Sequence, residues 1–299
     1  MKFAGIIAEY DPFHNGHAWQ LAQAKALGAE RVAVAMSCSL VQRGALPLLP
    51  EAVRTRSALT CGADLVFALP APCACAGAEA FARAGVALLA AAGCDSLVFG
   101  AETPDAALLM EAAELLDSDP YRAALKAQLA GGARSFAAAR QAAAAKLASD
   151  ERVAALLDKP NNNLAVEYCR AIRSLAPRME AYPLPRQGAN HGEALHSAHG
   201  QFASASALRK LWAEGGADAV APYVPEAVFP FYQEAYAAGQ YTDFSAAGRC
   251  ELALLRSACR GKAPFADIRG VSEGLEHRLE AAVRTSTTYD ELLDALTTV

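Results

Sequence analysis

The sequence predicts an α/β fold: a parallel five-stranded sheet with helices on both faces, carrying a helical insertion and a helical C-terminal region. Three observations predict it. Short apolar runs alternate with helix-length segments through the first hundred residues, an alanine-rich helical stretch follows, and a fifth apolar run returns near residue 180 before the pattern turns helical to the end.

Taken in order, residues 3–8 (Phe-Ala-Gly-Ile-Ile-Ala) read as a buried strand and residues 14–27 as a helix. Residues 31–36 make a second strand, and a loop over 37–50 leads into a helix at 51–61. A third strand at 64–69, a helix at 77–92 and a fourth strand at 96–99, ending in Gly100, complete the alternation. Strands joined through helices must run parallel, with both faces covered. Residues 104–158 place charges on one side and small apolar residues on the other, which predicts an inserted helical subdomain. The asparagine run 161–163 stands before an apolar periodic stretch and opens a helix, and residues 178–184 supply the fifth strand. Beyond a polar loop holding His191, His196 and His199, a serine cap starts a helix at 204, and residues 225–299 read as helices, among them 272–286 and 288–296. The expected division is a sheet domain over 1–215 and a helical domain over 216–299.

Composition narrows the function. A net charge of −5 excludes a broad cationic surface, so any nucleic-acid contact must come from a local patch or from sequence not present here. Eight cysteines lack paired CxxC spacing and no apolar leader precedes Glu9, so the expectation is a reduced, cytoplasmic protein without a cysteine-bound metal. The uncharged stretches 65–78 and 84–94 fall short of the roughly 18 residues that a membrane span needs.

In an open parallel sheet, ligands bind beyond the carboxyl ends of the strands. His14-Asn15-Gly16-His17 stands there, after the first strand. Residues three apart share a helix face, so both imidazoles point the same way, beside backbone amides that attract phosphate. Gly16 removes a side chain where a nucleotide comes close. Two imidazoles can then donate to oxygens that gain charge as pyrophosphate departs; either can also cap the helix or fill a polar niche, and the pair can hold a metal. A second constellation is Ser204-Ala205-Ser206-Ala207-Leu208-Arg209-Lys210, where Ser204 and Ser206 can cap a helix and Arg209 can reach anionic oxygens one turn on. Arg43, in the loop after the second strand, can contact an acyl-adenylate or RNA or be simply solvated. Asp64 fits a cap or turn at a strand start.

"HNGH" with "SASALRK" resembles the nucleotidyltransferase superfamily carrying HIGH-type and ISSTxIR-type motifs. More closely, "GIIAEYDPFHNGH", "MSCSLVQRGALP", "GADLVFALP", "GCDSLVFGAE", "KPNNNLAVEY", "SASALRK" and "VSEGLEHRL" resemble, in order along the chain, the bacterial tRNA(Met) cytidine acetate ligase family. The resemblance implies a Rossmann-like nucleotidyltransferase domain. It implies conversion of acetate and ATP to acetyl-adenylate and pyrophosphate, then acetylation of N4 of the wobble cytidine of elongator tRNA(Met). It places ATP along Ile7, Ala8, Glu9, Tyr10, Asp11, Pro12, Phe13, His14, Asn15, Gly16, His17 and Gln20, with further contacts at Gly100, Asn162 and Arg186. His14 and His17 would be catalytic, facing the phosphates, and Ser204, Ser206 and Arg209 would hold the triphosphate tail. Mg²⁺ would be bound through phosphate oxygens, with no metal cage of side chains.

The chain departs from that family at several positions. Asp11 stands where Asn is usual; a carboxylate beside a triphosphate repels it unless Mg²⁺ bridges them or the side chain turns away to cap the helix. Cys38 replaces a usual Gly and Ala45 a frequent acid, and the loop after Arg186 follows the family loosely. Relatives usually continue into a Lys/Arg-rich helical region, so the expectation is tRNA binding weakened more than ATP binding. A small-molecule adenylyltransferase and a catalytically reduced nucleotide-binding protein are the alternative readings.

Overall fold

The computed structural model describes residues 1–132, 135–186, 195–197, 200–260, 265–268, 271 and 274–297. The elements run β1 (Phe3–Ala8), α1 (Asn15–Ala26), β2 (Arg31–Ser37), α2 (Glu51–Thr60), β3 (Leu65–Leu69), α3 (Ala71–Ala74), α4 (Ala78–Ala91), β4 (Ser96–Ala101) and α5 (Ala106–Asp117). Then come α6 (Asp119–Ala130), α7 (Phe136–Leu147), α8 (Glu151–Leu156), α9 (Pro160–Leu175), β5 (Glu180–Pro185), β6 (Leu195–Ser197), β7 (Gly200–Phe202) and α10 (Ala205–Val220). A 3₁₀ turn at Ala221–Tyr223 precedes α11 (Phe229–Ala237), α12 (Phe244–Ala258), α13 (Leu275–Thr285) and α14 (Tyr289–Leu296).

The predicted sheet is the observed one. Five strands lie in the order β3-β2-β1-β4-β5, and every pairing is parallel. Strand order reverses between β1 and β4, which opens a crevice at their carboxyl ends. Alternate residues serve opposite faces, as a pleated strand buried on both sides requires. Val32, Val34 and Met36 join Leu21 of α1, Ala58 of α2 and Trp212 of α10 in one core, while Ala33 and Ala35 join Leu89 of α4, Leu109 of α5 and Val166 of α9 in the other.

The sequence reading and the structure differ in three places. The 104–158 segment shares the second core through Leu108, Leu116, Ala143 and Val153, so it extends one face of the sheet. The expected division at 215/216 falls inside α10, which kinks at Gly216 (φ 68°) and continues. Compact units divide after Tyr241 instead, because Ala217, Val220, Val228 and Tyr232 return to the core of Tyr10 and Phe13. At Gly216 a β-carbon would stand 2.6 Å from Tyr236 Cζ, so the kink lets the chain pass the tyrosine ring. The polar loop contains a short antiparallel pair, β6 with β7; His196 lies in β6, whereas His191 and His199 lie outside the described residues.

The second unit, residues 242–299, has its own small core of Leu252, Cys259, Phe265, Ala282, Val283 and Leu292. Asp243 caps α12 by accepting from the Ser245 and Ala246 amides, and Thr288 with Glu291 forms a capping box on α14. Among the described residues, no helix is long and apolar enough to cross a membrane.

Candidate active site

β1 ends in a bend that only a strongly supported backbone adopts. Tyr10 takes a left-handed conformation (φ 51°), unusual for a bulky residue, with its ring buried edge-on to Phe13 and His17 at 4.9 and 4.8 Å between centroids. Tyr232 of α11 donates from its hydroxyl to the Phe13 carbonyl at 2.6 Å and fixes the next step of the chain. The turn delivers His14 to the N-cap of α1.

Here the imidazoles form a reciprocal cap. His14 Nδ1 accepts from the Gly16 amide at 3.0 Å, and His17 Nδ1 accepts from the His14 amide at 3.3 Å. The rings stack at 3.8 Å between centroids with 22° between planes. The helix therefore starts at Asn15, and its cap is His14 rather than Asp11. Gly16 also has a local reason: a β-carbon there would stand 2.9 Å from His14 Cε1, so the His14 ring itself requires the missing side chain.

These contacts set the protonation state. Desolvation, aided by the Arg186 charge, pushes the His14 pKa down to about 3. Desolvation pushes His17 well below its ordinary value as well, with His14 and Arg186 acting in the same direction. Both rings are neutral at physiological pH. Because each Nδ1 accepts a backbone N–H, the proton sits on Nε2, so each ring offers an Nε2–H donor.

Asp11 is buried on protein donors. Its carboxylate is 2% exposed and accepts from the Leu48 amide at 2.6 Å, from Arg209 Nη1 at 3.0 Å and from Arg43 Nη2 at 3.4 Å. Arg209 Nη1 also donates to the Asp11 carbonyl at 2.6 Å, so the second motif is joined directly to the first. Ser204 caps α10 by accepting from the Ala207 amide at 3.2 Å, and its hydroxyl lies 3.0 Å from that of the exposed Ser206.

The remaining expected residues fall into two groups. Gln20 donates to the Val98 carbonyl at 3.2 Å and ties α1 to β4, while Asn15 donates to the carbonyls of Gln201 and Pro222. The side chains of Ile7, Tyr10, Pro12, Phe13 and Asn15 are buried, leaving Ala8, Glu9, Gly16 and the two imidazoles partly exposed. Gly100, at the end of β4, lies beside Arg186, whose Cγ would be 3.4 Å from a β-carbon there. Asn162 is buried and engaged with Thr103, whose amide donates to Asn162 Oδ1 at 2.9 Å. Its neighbour Asn161 is the one that accepts from Arg186 Nη1.

Two groups, Glu102 and Arg54, escaped the sequence reading, and Glu9 has a structural role beside the one expected of it. Glu102 accepts from the Asn161 and Asn162 amides at 3.2 and 2.7 Å and so caps α9, whose own N-cap residue, Lys159, supplies no side-chain acceptor. Glu9 accepts from the Gln42 amide at 2.5 Å and pins the loop after β2. Arg54 of α2 is fully buried and donates to the carbonyls of Leu49 (3.0 Å), Glu9 (2.7 Å), Ser37 (2.6 Å) and Cys38, gathering the ends of β1 and β2. Burial lowers its pKa, yet a guanidinium keeps its proton, so a fixed positive charge lies beneath the site. Asp64, by contrast, accepts from the Val32 amide and Lys25 at the opposite end of the sheet.

Neutral imidazole donors at a helix start, fixed arginines and a strand-order reversal define a site suited to transferring a nucleotidyl group. The chain belongs to the HIGH Nucleotidyl Transferase family, whose model matches residues 1–299. Its relatives narrow the comparison. The tRNA(Met) cytidine acetate ligase of Syntrophotalea carbinolica is 37% identical over 299 residues, covering 99% of this chain and 70% of the relative. The protein of the same name from Acetivibrio thermocellus is 33% identical over 309 residues, covering 100% and 73%. Among solved structures, Thermotoga maritima TmcAL bound with alpha-thio ATP superposes with a TM-score of 0.89 at 30% identity, covering 100% of this chain and 71% of that one. The apo form of the same protein gives 0.91.

Proposed function

We propose that this chain is an ATP-dependent tRNA cytidine acetate ligase. In the first step an acetate oxygen attacks the α-phosphorus of ATP, the α–β anhydride bond breaks, and pyrophosphate leaves with acetyl-adenylate remaining. In the second, N4 of the wobble cytidine of elongator tRNA(Met) attacks the acetyl carbonyl, AMP departs and N4 loses a proton. The cytoplasm is the proposed compartment, and with a net charge of −5 the tRNA contacts would come from a local patch or from sequence not present here.

The observation that carries this reading is the stacked pair of neutral imidazoles. With Nδ1 of each ring fixed on the backbone, both Nε2–H groups are preorganised to meet phosphate oxygens as negative charge moves onto the leaving pyrophosphate. No protein nucleophile is required; positioning and electrostatics supply the rate. Arg186, held on Asn161, and Arg209, held on Asp11, add fixed cations. Mg²⁺ would arrive on the phosphate oxygens and keep most of its waters. The Asp11 carboxylate, engaged with an amide and two guanidinium groups, fits an ion-pair role rather than that of a metal ligand.

Acetate-dependent exchange of labelled pyrophosphate into ATP tests the first step, and mass spectrometry of tRNA(Met) for acetylcytidine tests the second. Exchange that requires acetate is the expected result. Absence of exchange with every short carboxylate would refute the reading.

A further inference from the structure

Asp11 has more donors than an amide could serve. A carboxylate offers two acceptor oxygens and no N–H, and here the two receive three donors: the Leu48 amide on Oδ1, and Arg209 and Arg43 on Oδ2. Asparagine would offer one oxygen and turn an NH₂ group toward at least one of those donors, leaving it unsatisfied in a buried position. The donors come from two separate segments, the loop after β2 and helix α10, which lie far apart in sequence.

The grip on Arg209 is specific. Its Nη1 carries both contacts to Asp11, one to the side chain and one to the carbonyl, and these fix the plane of the guanidinium. Its Nε and Nη2 have no hydrogen bond among the described residues, so a rigid two-donor edge is left over. Such an edge matches two oxygens of a phosphate. Two guanidinium groups on one carboxylate leave a surplus positive charge at this point, so the pair still attracts an anion.

We propose that Asp11 is a positioning residue. It orients Arg209 toward the polyphosphate of the nucleotide and, through Leu48 and Arg43, locks the loop after β2 to the same point. This rests on the nucleotide-binding reading above, so the test uses ATP affinity and needs no assumption about the acid.

Calorimetric ATP binding to the full chain is compared for wild type, Asp11→Asn, Arg209→Gln and the double variant, with melting curves reporting the fold. Asp11→Asn is expected to weaken ATP binding about tenfold, and the double variant to bind within about twofold of Arg209→Gln alone, since residues acting through one contact are not additive. In pyrophosphate exchange, Asp11→Asn should raise KM for ATP and leave kcat within about threefold. Losses that multiply in the double variant, or wild-type affinity in Asp11→Asn, would overturn the inference. Should Asp11→Asn fail to fold, Arg209→Lys carries the test: it keeps the charge but not the two-donor edge, and unchanged affinity would overturn the proposal. Wild-type protein that binds no ATP would overturn the functional reading and this inference together.

Discussion

The two ends of the parallel sheet use the same device for different purposes. At the amino end, Asp95 Oδ2 accepts from the Lys2 and Phe3 amides at 2.7 and 3.3 Å, and Asp64 Oδ2 accepts from the Val32 amide at 2.7 Å. At the carboxyl end, Glu9 and Asp11 accept from the Gln42 and Leu48 amides. In all four cases an acid satisfies a backbone donor that the ladder leaves open. At the amino end burial works against ionisation, but hydrogen bonds and nearby positive charge outweigh it and hold Asp64 and Asp95 below the usual carboxylate range. The carboxyl end adds what the other lacks: a left-handed tyrosine, a buried arginine, two further arginines on one acid, and two neutral imidazoles. The difference teaches that stabilising a strand end takes a carboxylate, whereas preparing it for an anion takes fixed donors in surplus.

Substitutions at the two ends should therefore separate activity from stability. The largest effect is expected from the imidazoles. His14→Asn keeps an N-cap acceptor and loses the Nε2–H, so pyrophosphate exchange should fall about a hundredfold with little change in melting temperature. His17→Gln should do the same. Next comes Arg54→Met, which strands four buried carbonyls that now share one guanidinium; stability should fall by about 3 kcal/mol, read from urea unfolding.

A pH effect follows in size. Both histidines are neutral in the fold but take up a proton near pH 6.5 when unfolded, so the unfolded chain binds more protons between pH 6.5 and about 3. The stability they contribute is complete above pH 6.5 and is lost as the pH falls through that window. His14→Asn should lose less melting temperature than wild type between pH 7 and pH 5. The smallest effect belongs to the amino end: Asp95→Ala should cost about 1 kcal/mol of stability and leave the KM for ATP unchanged in the exchange assay. A shift in that KM would break the division between the ends.

Much of this plan is legible in sequence because burial writes itself as composition. The five strands are apolar runs, and parallel strands buried on both faces must be so. The histidine motif follows from position as much as from residue type, since it comes directly after the first strand. Arg54 was not legible: an arginine in a short helix reads as a solvated side chain, and nothing local signals that four carbonyls converge on it. At Asp11 the sequence leaves repulsion, a Mg²⁺ bridge or a side chain turned away as the choices, because its partners, Arg43 and Arg209, are remote in sequence. The asparagine run marked a helix start correctly but could not tell Asn161, which meets Arg186, from Asn162, which is buried on Thr103. At Gly16 the ligand reason is legible, whereas the close approach of the His14 ring two residues away is not. The end of the first compact unit stayed hidden because helices on both sides of residue 215 share one amphipathic pattern, and only packing reveals which core they serve.

The protonation of the two imidazoles tests the account most directly. Long-range ¹H–¹⁵N NMR of the histidine rings at pH 6.5 should show His14 and His17 neutral, each with its proton on Nε2, and both Nε2 signals should shift when ATP is added. Charged rings, protons on Nδ1, or signals indifferent to ATP would contradict it.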